Sequence, residues 1–181
     1  SLSSTGTLTI GNGASGRILL DRATTYGAND LKLVTGSFIT DNSDTNAFTS
    51  AGTLTLTSNG TVGIDNTDGN NTALTLGIDV NALTITGTGA NNINVTDAGT
   101  SNTVYTIATG GAGNVVVTQT ANNLNVGLVS TLGNVDLTTT NTTGGAIIDN
   151  GADNTVDIFG GTVTLTSNTG IGSSTADQDI E

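Results

Sequence analysis

The chain has 181 residues with 15 acidic and 3 basic side chains, a formal net charge of -12, and no His, Cys, Pro, Met or Trp. Without His or Cys the common nucleophile and base pairs of hydrolases cannot be assembled. Arg17, Arg22 and Lys32, the only cations, are too few to neutralise a nucleic-acid backbone or an anionic membrane surface, and no apolar run approaches the roughly 18 residues of a membrane span.

What remains is rich in Thr, Asn, Gly and aliphatic residues, that is, strand formers and turn formers. The low aromatic content and the charge would suit a disordered chain, but the apolar residues are patterned, not scattered. In chain order, strands with alternating apolar residues are predicted at "TLTI" (7–10), "LKLV" (31–34), "TLTLT" (53–57), "LTIT" (83–86), "NVVVT" (114–118), "NVDLT" (134–138) and "TVTLT" (162–166). Their spacing is irregular but bounded, as in solenoids.

A turn and a second apolar run follow several of these strands: "RILLD" (17–21), "SFITD" (37–41), "TVGID" (61–65), "NINVTD" (92–97) and "GAIID" (145–149). All five end on an aspartate, Asp21, Asp41, Asp65, Asp97 or Asp149, a residue that fixes turns by accepting a backbone N–H two residues on. Three continue with a common spacing to an Asn and an apolar residue: Asp41/Asn46/Phe48, Asp97/Asn102/Val104 and Asp149/Asn154/Val156. A third strand is expected in the longer coils, at "ALTLGI" (73–78), "VYTI" (104–107) and "VDIF" (156–159). Counted back from the aspartate, "NINVTD" is one residue out of step with "TVGID", which predicts a bulge.

One coil cannot bury its own apolar side, and stacking on the next coil does so. The pattern therefore predicts an all-β fold, a right-handed parallel β-helix (β-solenoid) of about seven coils with up to three strands per coil. It forms a single solenoid segment over residues 1–181, roughly 34 Å long at about 4.8 Å per coil. Leu54, Leu56, Leu83, Ile85, Val115, Val117, Val135, Leu137, Val163 and Leu165 should face inward. The outward column through the first strands should read Thr9, Lys32, Thr55, Thr84, Val116, Asp136, Thr164.

The units "LTLTSNGTVGID" (54–65), "GNVDLT" (133–138) and "VTLTSNTGIGSS" (163–174) resemble the filamentous haemagglutinin type of repeat of very large secreted and surface-displayed bacterial exoproteins. The resemblance implies a right-handed parallel β-helix and a role in attachment or surface structure, with an extracellular or cell-surface location. The chain lacks an initiator Met, as expected of a processed product or a piece of something longer.

Candidate sites are sparse. The loops "DNSDTN" (41–46) and "DNTDGN" (65–70) offer Asp41, Asp44, Asp65 and Asp68 as oxygen ligands, and calcium is the cation they suit. Their spacing matches neither the EF-hand nor the glycine-rich nonapeptide, and turn formation explains the same residues, so no cofactor is assigned. Asp136 and Asp157 could face outward on strands, but neither has an evident second acid for glycoside chemistry, and the chain is not expected to be an enzyme. Ice binding would need an uninterrupted outward Thr column, which Lys32, Val116 and Asp136 break. The expected partners are neighbouring coils of the same or identical chains and a cell-surface or glycan ligand, with no nucleic acid and no membrane insertion. The expected function is a structural rod in attachment, with a self-assembling filament or matrix subunit as the alternative and a polysaccharide-active or ice-binding helix behind both.

Overall fold

The computed structural model describes residues 6–20, 22–41, 48–63, 75–87, 89, 92–151, 155–172 and 179–181. These form no helix. Their strands are β1 (Leu8–Asn12), β2 (Ile18–Leu20), β3 (Thr24–Thr25), β4 (Leu31–Thr35), β5 (Ile39–Asp41), β6 (Phe48–Ser58), β7 (Leu76–Gly87) and β8 (Ile93–Asp97). The second half continues with β9 (Val104–Thr109), β10 (Val115–Gln119), β11 (Leu124–Ser130), β12 (Val135–Thr139), β13 (Ala146–Asp149), β14 (Ile158–Phe159), β15 (Val163–Thr166) and β16 (Gly170–Ile171).

All strand pairs among the described residues are parallel, and they stack into a β-solenoid. On a first face Ile10, Leu33, Leu56, Ile85, Ile107, Val129 and Ile158 lie in one column across β1, β4, β6, β7, β9, β11 and β14. On a second face the column is Ile18, Ile39, Val62, Ile93, Val115, Val135 and Val163. Seven levels are joined by six steps, so the stack makes about six turns and not the seven expected, roughly 29 Å at about 4.8 Å per step.

Alternation dictates the interior. In β4, β8, β10 and β12 every second side chain is buried and those between are half-buried, because successive residues of a strand point to opposite sides. Leu54, Leu56, Leu83, Ile85, Val115, Val117, Val135 and Leu137 are all in the core, as the alternation predicts. Each such aliphatic side chain contributes about 1.5–3 kcal/mol by leaving water. Val163 and Leu165 keep the inward register, yet Val163 is 42% exposed and Leu165 only partly buried. They lie on β15, whose one paired strand among the described residues is β12.

The strand thread expected from the sequence crosses between faces. Leu8, Leu31, Leu54 and Leu83 do form one column, but the residue above Leu83 is Tyr105, not Val115. "NVVVT", "NVDLT" and "TVTLT" instead follow "NINVT" on the second face. The outward column of the first face is therefore Thr9, Lys32, Thr55, Thr84, Thr106 and Leu128.

The parity mismatch at "TVGID" has a different cause from a bulge. Val62 pairs with Ile93, and Leu76 pairs with Val95 two residues on. Val62 and Leu76 thus share one row although they are far apart in sequence. Gly63 has φ 91° and packs so close to the Asn94 carbonyl that a Cβ would stand 2.0 Å from that oxygen, a position only glycine accepts. The bulges lie elsewhere, between Ser50 and Thr53 and between Val126 and Leu128.

Corners are pinned by side chains. Asp97 and Asp149 accept the N–H of Gly99 and Gly151, two residues on, at 2.9 and 2.7 Å, the turn role expected of them. Ser58 and Thr131 add a device that links levels. Each hydroxyl accepts the N–H two residues on (Gly60, 3.1 Å; Gly133, 3.0 Å) and donates to a carbonyl of the preceding coil (Ser37, 2.7 Å; Gly113, 2.5 Å).

Candidate functional site

The most regular surface is the outward side of β8, β10, β12 and β15. Because these strands are in register, their outward residues form columns about 4.8 Å apart. Thr96, Thr118, Thr138 and Thr166 make one uninterrupted column, and Asn94, Val116, Asp136 and Thr164 make the next. At the start of the strands Asn92, Asn114 and Asn134 form a ladder. The Asn92 Oδ1 accepts the Asn114 N–H at 2.9 Å, and the Asn114 Oδ1 accepts the Asn134 N–H at 3.0 Å. Those bonds continue the sheet with side-chain oxygens and fix the plane of the Asn92 and Asn114 amides.

A groove of about 260 Å³ runs over this face between Asn114, Val116, Asn134, Asp136, Thr162 and Thr164. Asp136 is the one charged side chain lining it, and its Oδ1 accepts a hydrogen bond from the Thr138 hydroxyl at 3.2 Å. The groove thus combines amide and hydroxyl groups, a single carboxylate and an aliphatic patch. Such a set can hold a polar ligand by converging hydrogen bonds. The Thr column meets the demand for an unbroken row, but its neighbour carries Asn94, Val116 and Asp136, so paired threonines do not extend over the face.

A second polar cluster lies inside the solenoid. Asp97 is fully buried, and its Oδ2 accepts hydrogen bonds from the Thr103 hydroxyl at 2.6 Å and the Tyr105 hydroxyl at 2.7 Å. Gln119 donates from Nε2 to the Tyr105 hydroxyl at 3.3 Å, and its Oε1 accepts the Ala121 N–H at 2.8 Å. Burial raises the Asp97 carboxyl above the ordinary carboxylate range, against the opposing effect of its hydrogen bonds. Burial, with the neighbouring Asp97 charge, holds the Tyr105 phenol well above its usual value. With Asp97, Tyr105 and Gln119 all at 0% exposure, no substrate reaches the cluster, and its role is to knit two adjacent levels together.

Of the metal candidates, Asp41 alone lies among the described residues. Asp41 is fully buried and its Oδ2 accepts the Gly77 N–H at 3.1 Å, a bond that ties β5 to β7. Asp44, Asp65 and Asp68 lie outside the described residues, as do Asp21, Asn46 and Asn154. Among the described residues no three acidic side chains come together as a cation site. Of the residues sharing the Asp-to-Asn spacing, Phe48 is buried while Val156 is 59% exposed, so the shared spacing does not give equivalent burial. Asp157 is turned inward, 2% exposed, with its Oδ2 accepting the Glu181 N–H at 3.0 Å. The Asn ladder escaped the sequence reading, although its signal is visible: an Asn immediately before or at the start of each run "NINV", "NVVV" and "NVDL".

Fold and surface together define a parallel β-solenoid with one ordered polar face. Compared with family models, curated proteins and solved structures, the chain finds no match.

Proposed function

We propose that the chain is a structural β-solenoid rod of a large extracellular bacterial adhesin-like protein, acting in cell attachment or surface structure, with the second face as its contact surface. The observation that carries this reading is the parallel stacking through seven levels, which on β8, β10, β12 and β15 turns alternate residues into straight outward columns. The resemblance of "LTLTSNGTVGID" and "VTLTSNTGIGSS" to haemagglutinin-type repeats supports it. On this reading the protein works without catalysis or cofactor, engages neither nucleic acid nor the membrane interior, and stays soluble through its net charge of -12.

The test is adhesion of protein-coated beads to cell surfaces, with small-angle scattering on the same sample. Rod-like scattering with adhesion that is lost when Thr118 and Thr138 are replaced by Lys supports the reading. Beads that do not adhere sink the attachment role.

A second reading is a self-assembling filament or matrix subunit. The end levels favour it, since Ile10, Val163 and Ile171 occupy strands of the stack yet are 39%, 42% and 52% exposed. Sedimentation that stays monomeric over a hundredfold concentration range would eliminate it.

A further inference from the structure

We propose that the groove over β10, β12 and β15 is a binding subsite for a neutral, hydroxyl-rich saccharide chain. This deepens the reading of the second face as a contact surface and rests on it.

Three observations converge. The first is pre-organisation: Asn114 is held by two ladder bonds, its own N–H to the Asn92 amide oxygen and its amide oxygen to the Asn134 N–H, at 2.9 and 3.0 Å. Its remaining Nδ2 donor is therefore set in direction before any ligand arrives, which lowers the ordering cost of binding. The second is composition. Asn134, Thr162 and Thr164 add donors and acceptors, and Val116 gives an aliphatic patch for the C–H face of a sugar ring. The third is charge. Asp136 is the one ionisable group in the groove, on a chain of net charge -12. Its carboxylate accepts from sugar hydroxyls and repels uronate, sulfate or phosphate groups. The volume of about 260 Å³ suits one or two sugar units and not a folded partner, and the repeat of the columns from coil to coil lets a polymer engage adjacent levels.

The experiment is saturation-transfer NMR and calorimetry of the full chain with neutral glucose, galactose, mannose and N-acetylglucosamine oligomers, and with an oligouronate of equal length. We expect saturable binding of at least one neutral series at millimolar concentration and none of the oligouronate. Asn134→Ala leaves both ladder bonds in place and should weaken binding about three- to tenfold, the loss of one hydrogen bond. Asp136→Asn should narrow the gap between neutral and uronate oligomers, which a purely structural residue would not do. Thr84→Ala, on the other face, should change nothing. Absence of saturable binding by every neutral series, or equal weakening by Thr84→Ala, overturns the subsite. If beads still adhere to cells in that case, the ligand class falls while the attachment role stands.

Discussion

Tyr105 shows how one residue couples levels of the stack. It sits directly above Leu83 in the first-face column, yet its hydroxyl reaches the Asp97 carboxylate of the preceding coil at 2.7 Å. A hydrogen bond to a buried charged group contributes about 1.5–3 kcal/mol. Tyr105→Phe should therefore lower the stability in urea by that amount, with little change in secondary structure by circular dichroism. The same cluster sets a pH dependence. Because burial raises the Asp97 carboxyl in the folded state, the native protein holds that proton more tightly than the unfolded chain. This contribution is fully present below the ordinary carboxylate value and is lost as pH rises through the raised one. The urea midpoint should thus fall, as pH rises above the ordinary carboxylate value, more steeply in the native sequence than in Asp97→Asn, and equal slopes would remove Asp97 as the cause. The sequence showed Asp97 as a turn residue, which it is. Its second carboxylate oxygen, turned to Thr103 and Tyr105, was hidden because contacts eight residues apart across a coil corner leave no periodic trace.

At the scale of the strand, the pattern of apolar alternation was legible and the face to which each strand belongs was not. "LTLT" on the first face and "VDLT" on the second satisfy the same physical demand, an inward pair separated by one outward residue. Only their neighbours differ, and "VYTI", expected as the third strand of a coil, is the strand that belongs above Leu83. The row that Val62 and Leu76 share draws on residues distant in sequence, which no short-range motif reports. The corner hydroxyls were missed for another reason: Ser and Thr are common everywhere in this composition, so Thr131 does not stand out. Its hydroxyl nevertheless accepts from Gly133 and donates to Gly113 in a buried position. Thr131→Val keeps the shape and strands both partners, so it should cost about 1–3 kcal/mol, read by thermal or urea melting. Within β10 the contrast is sharper. Val116 points outward from a strand paired on both sides, so Val116→Thr should stay within about 0.5 kcal/mol of the parent. Val116→Pro removes a ladder donor and should cost about 3 kcal/mol or more.

At the scale of the whole molecule, stability is a sum over levels and the contacts between adjacent levels. The same chemical insult should then have unequal effects along the axis. Val117 is fully buried between Val95 below and Leu137 above. Placing a carboxylate there interrupts the apolar column in both directions and offers the charge no partner, so Val117→Asp should cost several kcal/mol. It should also strip hydrogen-exchange protection from β8, β10 and β12 together. Val163 occupies a second-face column with Val135 as its one column neighbour among the described residues and is 42% exposed. There the new charge keeps contact with water, and pairing to β12 alone among the described strands leaves little to break. Val163→Asp should cost about 1 kcal/mol or less and confine lost protection to β15 and β16. Hydrogen exchange read by mass spectrometry across the two variants decides the matter. Graded, local loss in one and wide loss in the other is the behaviour of a stack held together level by level. Uniform loss of protection along the whole chain in both would mean a globally cooperative unit, and the rod would then transmit damage from its end to its centre.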